Sequence, residues 1–182
     1  MKLHPLKLKL AVATTALMSL QPLLTAETNA APARIGIYDS RVLAYAYFTC
    51  DEHMRQLNAA IIAAKQAKMD GQKERSEQMA AALRKQQEEA HLQVFGSAPA
   101  DDALLALKEK LPALQEKAGV SNLVSKWDEA ALSHYSKAEL VDVTDLLAEE
   151  FKPTDAQRKV IASIKKSKPV SAEEIKKSED GH

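Results

Sequence analysis

The residues whose types and spacing could do chemistry are few, and the clearest pair is Cys50 with His53. They stand three residues apart, about one helical turn, so a helix would present a thiolate and an imidazole on one face, where they could bind zinc or copper. Further metal ligands could come from Asp51, Glu52, His91 or His134. The alternative is a buried cysteine beside a solvated histidine. We therefore keep a metal-binding or metal-sensing helical module, using Cys50 and His53, as the second interpretation of the sequence.

No catalytic motif accompanies that pair. The five glycines are scattered and form no phosphate-binding loop. No Gly-x-Ser-x-Gly nucleophile pattern occurs, and a single cysteine cannot form a Cys-x-x-Cys redox pair. The sequence therefore predicts a protein that is not an enzyme and that holds no cofactor.

The first 26 residues have the pattern of a signal peptide. Three lysines within the first nine residues precede an uncharged apolar stretch, 10–20, and small residues follow around Ala26 and Ala30. Signal peptidase requires small side chains beside its cut, which predicts cleavage after Ala26 or as late as Ala30. The uncharged stretch is shorter than the roughly 20 residues of a membrane span. We expect a periplasmic or secreted protein that is not stably inserted in a membrane after cleavage.

The charge balance limits the class of partner, and the cysteine content limits the disulfides that can form. The whole chain has 25 basic and 25 acidic residues, and loss of the three lysines near its start leaves 22 basic residues against the 25 acidic ones. A nucleic-acid-binding face would show as an excess of Lys and Arg, so nucleic acid is not an expected partner. With Cys50 as the one cysteine, no internal disulfide is possible, and we expect its thiol to be buried.

The elements that must position these residues begin with short strands. In the segment 34–39 the alternation places Ile35 and Ile37 on one face of a strand, and Asp39 is suited to cap a following helix. Other extended segments are expected at 122–128, 131–135 and 139–145. We expect the chain around Ile35, Val124 and Val141 to meet in one small sheet. The predicted core and oligomer-contact residues of this sheet are Ile35, Ile37, Val124, Trp127, Val141 and Val143.

A long helical excursion separates the first strand from the others. Nearly every residue from 51 to 95 favours a helix, and after a turn at 96–100 a second helix is expected over 101–119. Leucines spaced three, four and three residues apart give the second helix an apolar seam. We predict a helical hairpin over 51–119 with a seam formed by Leu57, Ile61, Leu104, Leu107, Leu111 and Leu114.

The sequence does not decide how the two helical stretches pair or where they break. As single helices the two stretches would be about 67 Å and about 28 Å long, which is unequal for a pair that packs along its length. Gly71 could break the longer stretch, although a glycine costs a helix only about 1 kcal/mol relative to alanine. Pro112, inside the second stretch, is expected to kink it.

The sequence as a whole predicts an α+β fold that is mostly helical, with a long helical hairpin inserted into a small β-sheet body. Thr154 with Gln157 forms a capping box that opens the last expected helix. Beyond it the chain is polar and is expected to be disordered, although Ser171 and Glu174 could cap one short turn. The expected divisions are the signal peptide at 1–26, the body at 34–50 and 120–165, the hairpin at 51–119 and the tail at 166–182.

This order of elements resembles the Skp/OmpH family of periplasmic chaperones over about residues 34–151. The segment 34–40 is similar to that family's first strand and its exit into a helix, and 122–135 is similar to its returning strand pair. The segment 139–147 is similar to its closing strand and helix, which surround an Asp-Val-Thr run. These are packing patterns, and none of them is a catalytic motif.

The resemblance implies a trimeric sheet body from which helical hairpins project around a cavity that holds unfolded outer-membrane proteins. It therefore implies a chaperone-like holdase of the cell envelope, or a structural relative that binds a partner envelope protein. Both would work without catalysis, and a homo-oligomer is expected.

Overall fold

The computed structural model describes residues 32–180, and the predicted signal peptide at 1–26 lies outside them. The described chain is mostly helical with a small sheet, as the composition predicts. Its strands are β1 (Arg34–Tyr38), β2 (Asn122–Ser125) and β3 (Glu139–Asp142). Its helices are α1 (Ser40–Phe48), α2 (Asp51–Met69), α3 (Lys73–Val94), α4 (Asp101–Ala106), α5 (Leu111–Ala118), α6 (Glu129–Ser133), α7 (Thr144–Ala148), α8 (Asp155–Lys166) and α9 (Ala172–Asp180), with a 3-10 turn at Glu149–Phe151 after α7.

The three strands form one parallel sheet in the order β2-β1-β3. Ile37 pairs with Val124 and Gly36 pairs with Val141, so the expected meeting of three distant segments is confirmed. Parallel neighbours require crossover connections, and the helical excursion supplies the first of them. Gly36 leaves no room for a side chain, since a Cβ at this position would lie 2.8 Å from Cδ2 of Leu123, its partner on β2.

One expected strand is a helix. We predicted an extended segment at 131–135, but the chain there continues α6 and ends it in a turn. The Asp128 side chain accepts a hydrogen bond from the backbone N–H of Ala131, at 2.9 Å, and so caps the helix start. The local cap and the alanines behind it outweigh the weak alternation on which the strand prediction rested.

The core lies where α1 packs over the sheet. Asp39 caps α1 as expected, and one side of α1 places Leu43 against Leu147 of α7 in the larger cluster of buried apolar residues. Its other side places Val42 against Ile161 of α8 in a second cluster. Three aromatic residues toward the end of α1 pack around these clusters: Tyr45, Tyr47 and Phe48.

The long helical stretch breaks at Gly71. Helix α2 ends at Met69, Gly71 adopts a left-handed conformation with φ of 72°, and α3 runs back along α2. The hydroxyl of Ser76 lies 3.4 Å from the carbonyl oxygen of Ala64, as an antiparallel pair requires. Residues 51–94 therefore form a pair of antiparallel helices, which we call the arm. Because the long stretch pairs with itself, its length no longer has to match that of the stretch 101–119.

The expected hairpin seam is wrong for its four later leucines. Leu107 and Leu114 lie in the larger buried cluster of the body, with Leu104 and Leu111 packed against it. Helix α4 ends at Ala106 and α5 begins at Leu111, so Pro112 stands in the first helical turn, where its missing N–H breaks no hydrogen bond. Because α3 already occupies the face of α2 that bears Leu57 and Ile61, the segment 101–119 belongs to the body.

The chain beyond α8 was expected to be disordered, and through Asp180 it is largely helical. The capping box of Thr154 and Gln157 opens α8 as predicted. Ser171 and Glu174 then bond reciprocally at the start of α9, and the amide of Val170 donates to the carbonyl of Phe95 at 2.8 Å. Ile175 is buried where α9 packs on α3, and this apolar contact together with the cap holds an otherwise polar helix in place.

Candidate functional site

The two helices of the arm pack mainly on each other, and they contact the rest of the described chain through α1 and α9. Helix α2 packs mainly against α3 and, at its base, against α1. Within the described residues, its buried side chains are His53 near the base and Ala67 near the tip, and α3 has none. Most of the surface of both helices is therefore available to a partner.

The surface of the arm mixes charge with isolated apolar groups. The stretch 51–95 contains seven acidic and seven basic residues, so it has no net charge at neutral pH with histidine uncharged. Three large apolar side chains are exposed on α2, at Met54, Ile62 and Met69. Ile62 and Met69 are 66% and 80% exposed and stand seven residues apart, two helical turns, so both lie on one side of α2. Met69 is next to the tip of the arm.

His53 joins the arm to the body. Its ring packs against the rings of Tyr47 and Phe48 in α1, with centroids 4.8 and 5.1 Å apart. Its Nε2 lies 3.5 Å from the side-chain nitrogen of Gln86 in α3, while its buried Nδ1 has no hydrogen-bond partner within residues 32–180. Burial lowers the pKa of His53, and the negative charge of Asp102 opposes that shift only in part. The neutral imidazole is thus the form that the junction accommodates.

Cys50 has a structural role beside His53. It stands at the N-cap of α2, and its Sγ accepts from the backbone N–H of His53 at 3.5 Å. The thiol is partly exposed and unpaired with another cysteine in the described chain, so the expectation of full burial is wrong. Among residues 32–180, no group of three His, Cys, Asp or Glu side chains is arranged to hold a metal ion. The metal-binding hypothesis for Cys50 and His53 therefore lacks a third protein ligand in this part of the chain.

A mostly apolar cavity lies between α2 and α3 at the base of the arm. Its volume is about 320 Å³, large enough for an apolar side chain. Among the residues that line it are Phe48, His53, Leu57, Ile61, Leu83 and Ala90. Leu57 and Ile61 thus lie between the arm helices, as the seam prediction had them, although their partners come from α3.

A cluster of polar side chains lies at the carboxyl edge of the sheet, around Asp39, and we call it the Asp39 cluster. This carboxylate is fully buried and accepts from Arg41 Nη2 at 2.9 Å, Lys126 Nζ at 2.7 Å and Trp127 Nε1 at 2.8 Å. Burial alone would raise the pKa of Asp39, but the hydrogen bonds from these three donors outweigh burial and hold the pKa below its usual value. The backbone N–H of Asp39 donates to the hydroxyl of Thr144, which brings the end of β3 into the cluster.

The Asp39 cluster holds elements together and leaves no reactive group free. Arg41 also donates to the carbonyl oxygens of Ile164 and Ser167, so one guanidinium joins β1 to the end of α8. The side chain of Arg41 and the Nζ of Lys126 both lie 4.7 Å from the ring centre of Trp127. Sequence reasoning placed Trp127 in the core and Asp39 as a helix cap, but it missed the cluster because its members are up to 128 positions apart in the chain.

The predicted core residues of the sheet lie together. Ile35, Val124 and Val143 are buried, while Ile37, Trp127 and Val141 are partly buried. Their predicted role in contacts between subunits remains a prediction.

Two further findings bear on function. No helix within residues 32–180 is long and apolar enough to cross a membrane. Comparison with protein-family models, with curated proteins and with solved structures gives no match to this chain.

Proposed function

We propose that this chain is an exported protein of the cell envelope that binds unfolded or partner proteins with its arm, as a chaperone-like holdase or a structural protein without catalysis. The observation that carries the proposal is the arm itself: two antiparallel helices whose packing on the body is concentrated at their base. An arm of this kind offers a partner two long helix faces.

The chemistry of the arm suits weak and adaptable binding. Equal numbers of acids and bases keep its surface solvated, while Met54, Ile62 and Met69 supply exposed apolar surface. Methionine fills irregular gaps because its side chain is flexible and polarizable. Adaptable apolar contacts of this kind are typical of proteins that accept varied partners.

The sheet supports a homo-oligomer as part of the proposal. Only three short strands are present within residues 32–180, and β2 and β3 each have one edge without a strand partner there. Leu140 on β3 is half exposed. Because an open strand edge presents unpaired backbone N–H and C=O groups, a second or third copy packed on these edges would cover them. A trimer is the state that the resemblance to the Skp/OmpH family implies.

The test combines mass and aggregation. We expect the purified protein without residues 1–26 to be an oligomer by light scattering, and to suppress the aggregation of an outer-membrane protein diluted from urea. Replacing Ile62 and Met69 with serine should lower that suppression at least twofold without changing the mass. Leu105→Ser is the matched control, because Leu105 is 68% exposed but lies on α4 in the body.

Two results would contradict the proposal. One is a monomer that leaves the aggregation of the denatured protein unchanged. The other is equal loss of suppression in the control and in the arm variant, which would show that the exposed apolar residues of the arm have no special part in binding.

A further inference from the structure

A cleft separate from the arm opens at the carboxyl ends of β1 and β2. Its volume is about 580 Å³, within the range of sites for small organic molecules. The residues that matter for its chemistry are Tyr38, Asp101, Trp127, Asp128 and Glu129. Ligands of parallel α/β sheets bind at this edge, because the loops that follow the strands converge there.

The lining of the cleft is acidic. Asp101, Asp128 and Glu129 border it, and no Lys, Arg or His is among its lining residues. Asp128 uses one carboxylate oxygen, Oδ1, to cap α6. Two cations, Arg41 and Lys126, stack on Trp127 and share the single buried carboxylate of Asp39, so this group carries one net positive charge. With three acidic side chains in its lining, the cleft still has an excess of negative charge.

Tyr38 gives the cleft a polar group that has no partner within the protein. The residue is only 6% exposed and lines the cleft, and its hydroxyl makes no hydrogen bond with any residue in the range 32–180. This hydroxyl is not among the fully enclosed polar atoms of the described chain, so it opens into the cleft, where it can bond to water or to a ligand. Burial, followed by the charges of Asp101 and Asp128, raises the pKa of Tyr38 to about 12. The phenol thus stays neutral and offers its oxygen as an acceptor in a negative field.

We propose that this cleft binds an aliphatic diamine or a similar organic dication, with one ammonium group donating to the hydroxyl of Tyr38 and the charge balanced by Asp101 and Asp128. An ammonium group has three N–H donors and suits a mixture of a phenolic oxygen and carboxylates. The aromatic residues Tyr38 and Trp127 add apolar surface for the methylene chain. A single metal ion suits the cleft less, because no three acidic or other metal-ligating side chains of the described chain converge on one point.

The experiment is a calorimetric titration of the full mature chain with 1,4-diaminobutane at constant ionic strength. We expect one saturable site, and no heat of binding with 1,4-butanediol, which has the same length without charge. Tyr38→Phe and Asp101→Asn should each weaken binding about tenfold, since a hydrogen bond or ion pair to a charged group contributes about 1.5 kcal/mol. Asp155→Asn is the matched control, because this acid lies in the first turn of α8, away from the lining of the cleft.

Three outcomes would overturn the proposal: no saturation by the diamine, equal binding of the diol, or unchanged affinity in Asp101→Asn. Tyr38 is part of the core, so Tyr38→Phe counts as a test only if its melting temperature stays close to that of the parent protein. If it does not, Asp101→Asn is the decisive variant, because Asp101 lies at the exposed start of α4. The titration needs no client protein, so its result is independent of the proposed function of the arm.

Discussion

Asp39 and Arg41 form a completely buried ion pair, in which the guanidinium donates to both carboxylate oxygens, at 3.1 and 2.9 Å. The two residues are separated by one position at the junction of β1 with α1. Arg41 also donates to the carbonyl oxygen of Ile164 in α8, and Asp39 also binds Lys126 and Trp127, which follow β2. The pair therefore connects the sheet with α8 and with the segment after β2.

The first prediction follows from that pair. Asp39→Asn should destabilise the folded protein by about 3–5 kcal/mol, since the change leaves the buried charge of Arg41 without its counter-ion. Asp145→Asn is the matched control, because Asp145 pairs with Lys165 at the surface and such pairs contribute about 1 kcal/mol or less. Urea denaturation followed by circular dichroism measures both values. Equal midpoints for the two variants would contradict the assignment of Asp39 as the central residue of the body.

The second prediction concerns acidification. The folded state lowers the pKa of His53 below its ordinary value of 6.5, mainly through burial, so the unfolded chain binds this proton more readily than the folded one does. The contribution to stability is therefore complete above pH 6.5 and is lost as the pH falls through 6.5 toward the lowered pKa. We expect the free energy of unfolding to fall between pH 7.5 and pH 5.

The variant for that test is His53→Leu, which keeps an apolar side chain between α1 and α3 and removes the titration. Its stability should change less with pH than that of the parent. The control is His134→Gln, because His134 is exposed and its replacement leaves the packing of His53 at the junction intact. A parent and a His53 variant with identical slopes would show that the junction does not depend on a neutral imidazole.

Local signals let the sequence predict several elements well. The alternation at Ile35 and Ile37, the cap at Asp39, and the capping box of Thr154 with Gln157 each depend on residues within four positions of one another. Gly119 also ends α5 as expected, in the left-handed conformation that glycine adopts most easily. In all of these cases the chemistry that decides the structure is contained in a short stretch of chain.

The elements that the sequence assigned wrongly depend on contacts between distant segments, which the spacing of residues along the chain does not show. The leucine pattern at 104–114 correctly indicates one apolar face, but it does not say whether that face meets α2 or the body. The residues of the acidic cleft come from 38, 101 and 127–129, so no short motif joins them. His53 could be noticed from the sequence because it stands near Cys50, yet its approach to Gln86 arises only when the arm folds back at Gly71.

The third prediction tests the fold-back of the arm. Gly71→Ala should destabilise the protein by about 1 kcal/mol, because φ at this position is 72° and a Cβ makes that conformation unfavourable. No atom lies within 4 Å of the added Cβ, so the cost comes from the backbone alone. Gly71→Asn should cost less, since asparagine enters the left-handed region more readily. Thermal melts of the three proteins give the order, and equal melting temperatures for alanine and glycine would be the contrary result.

The fourth prediction separates the body leucines from a hairpin seam. Leu107 is 2% exposed among Leu43, Leu114 and Leu147, so Leu107→Ala should create a cavity and cost about 2–5 kcal/mol. Leu105, two residues earlier, is 68% exposed, and Leu105→Ala should change stability by less than about 0.5 kcal/mol. If the segment 101–119 instead paired with α2, loss of Leu107 would loosen the arm and leave the body intact. Hydrogen exchange distinguishes these cases, because the structure predicts faster exchange in α1 and α7, which share the buried cluster with Leu107, and unchanged exchange at the tip of the arm.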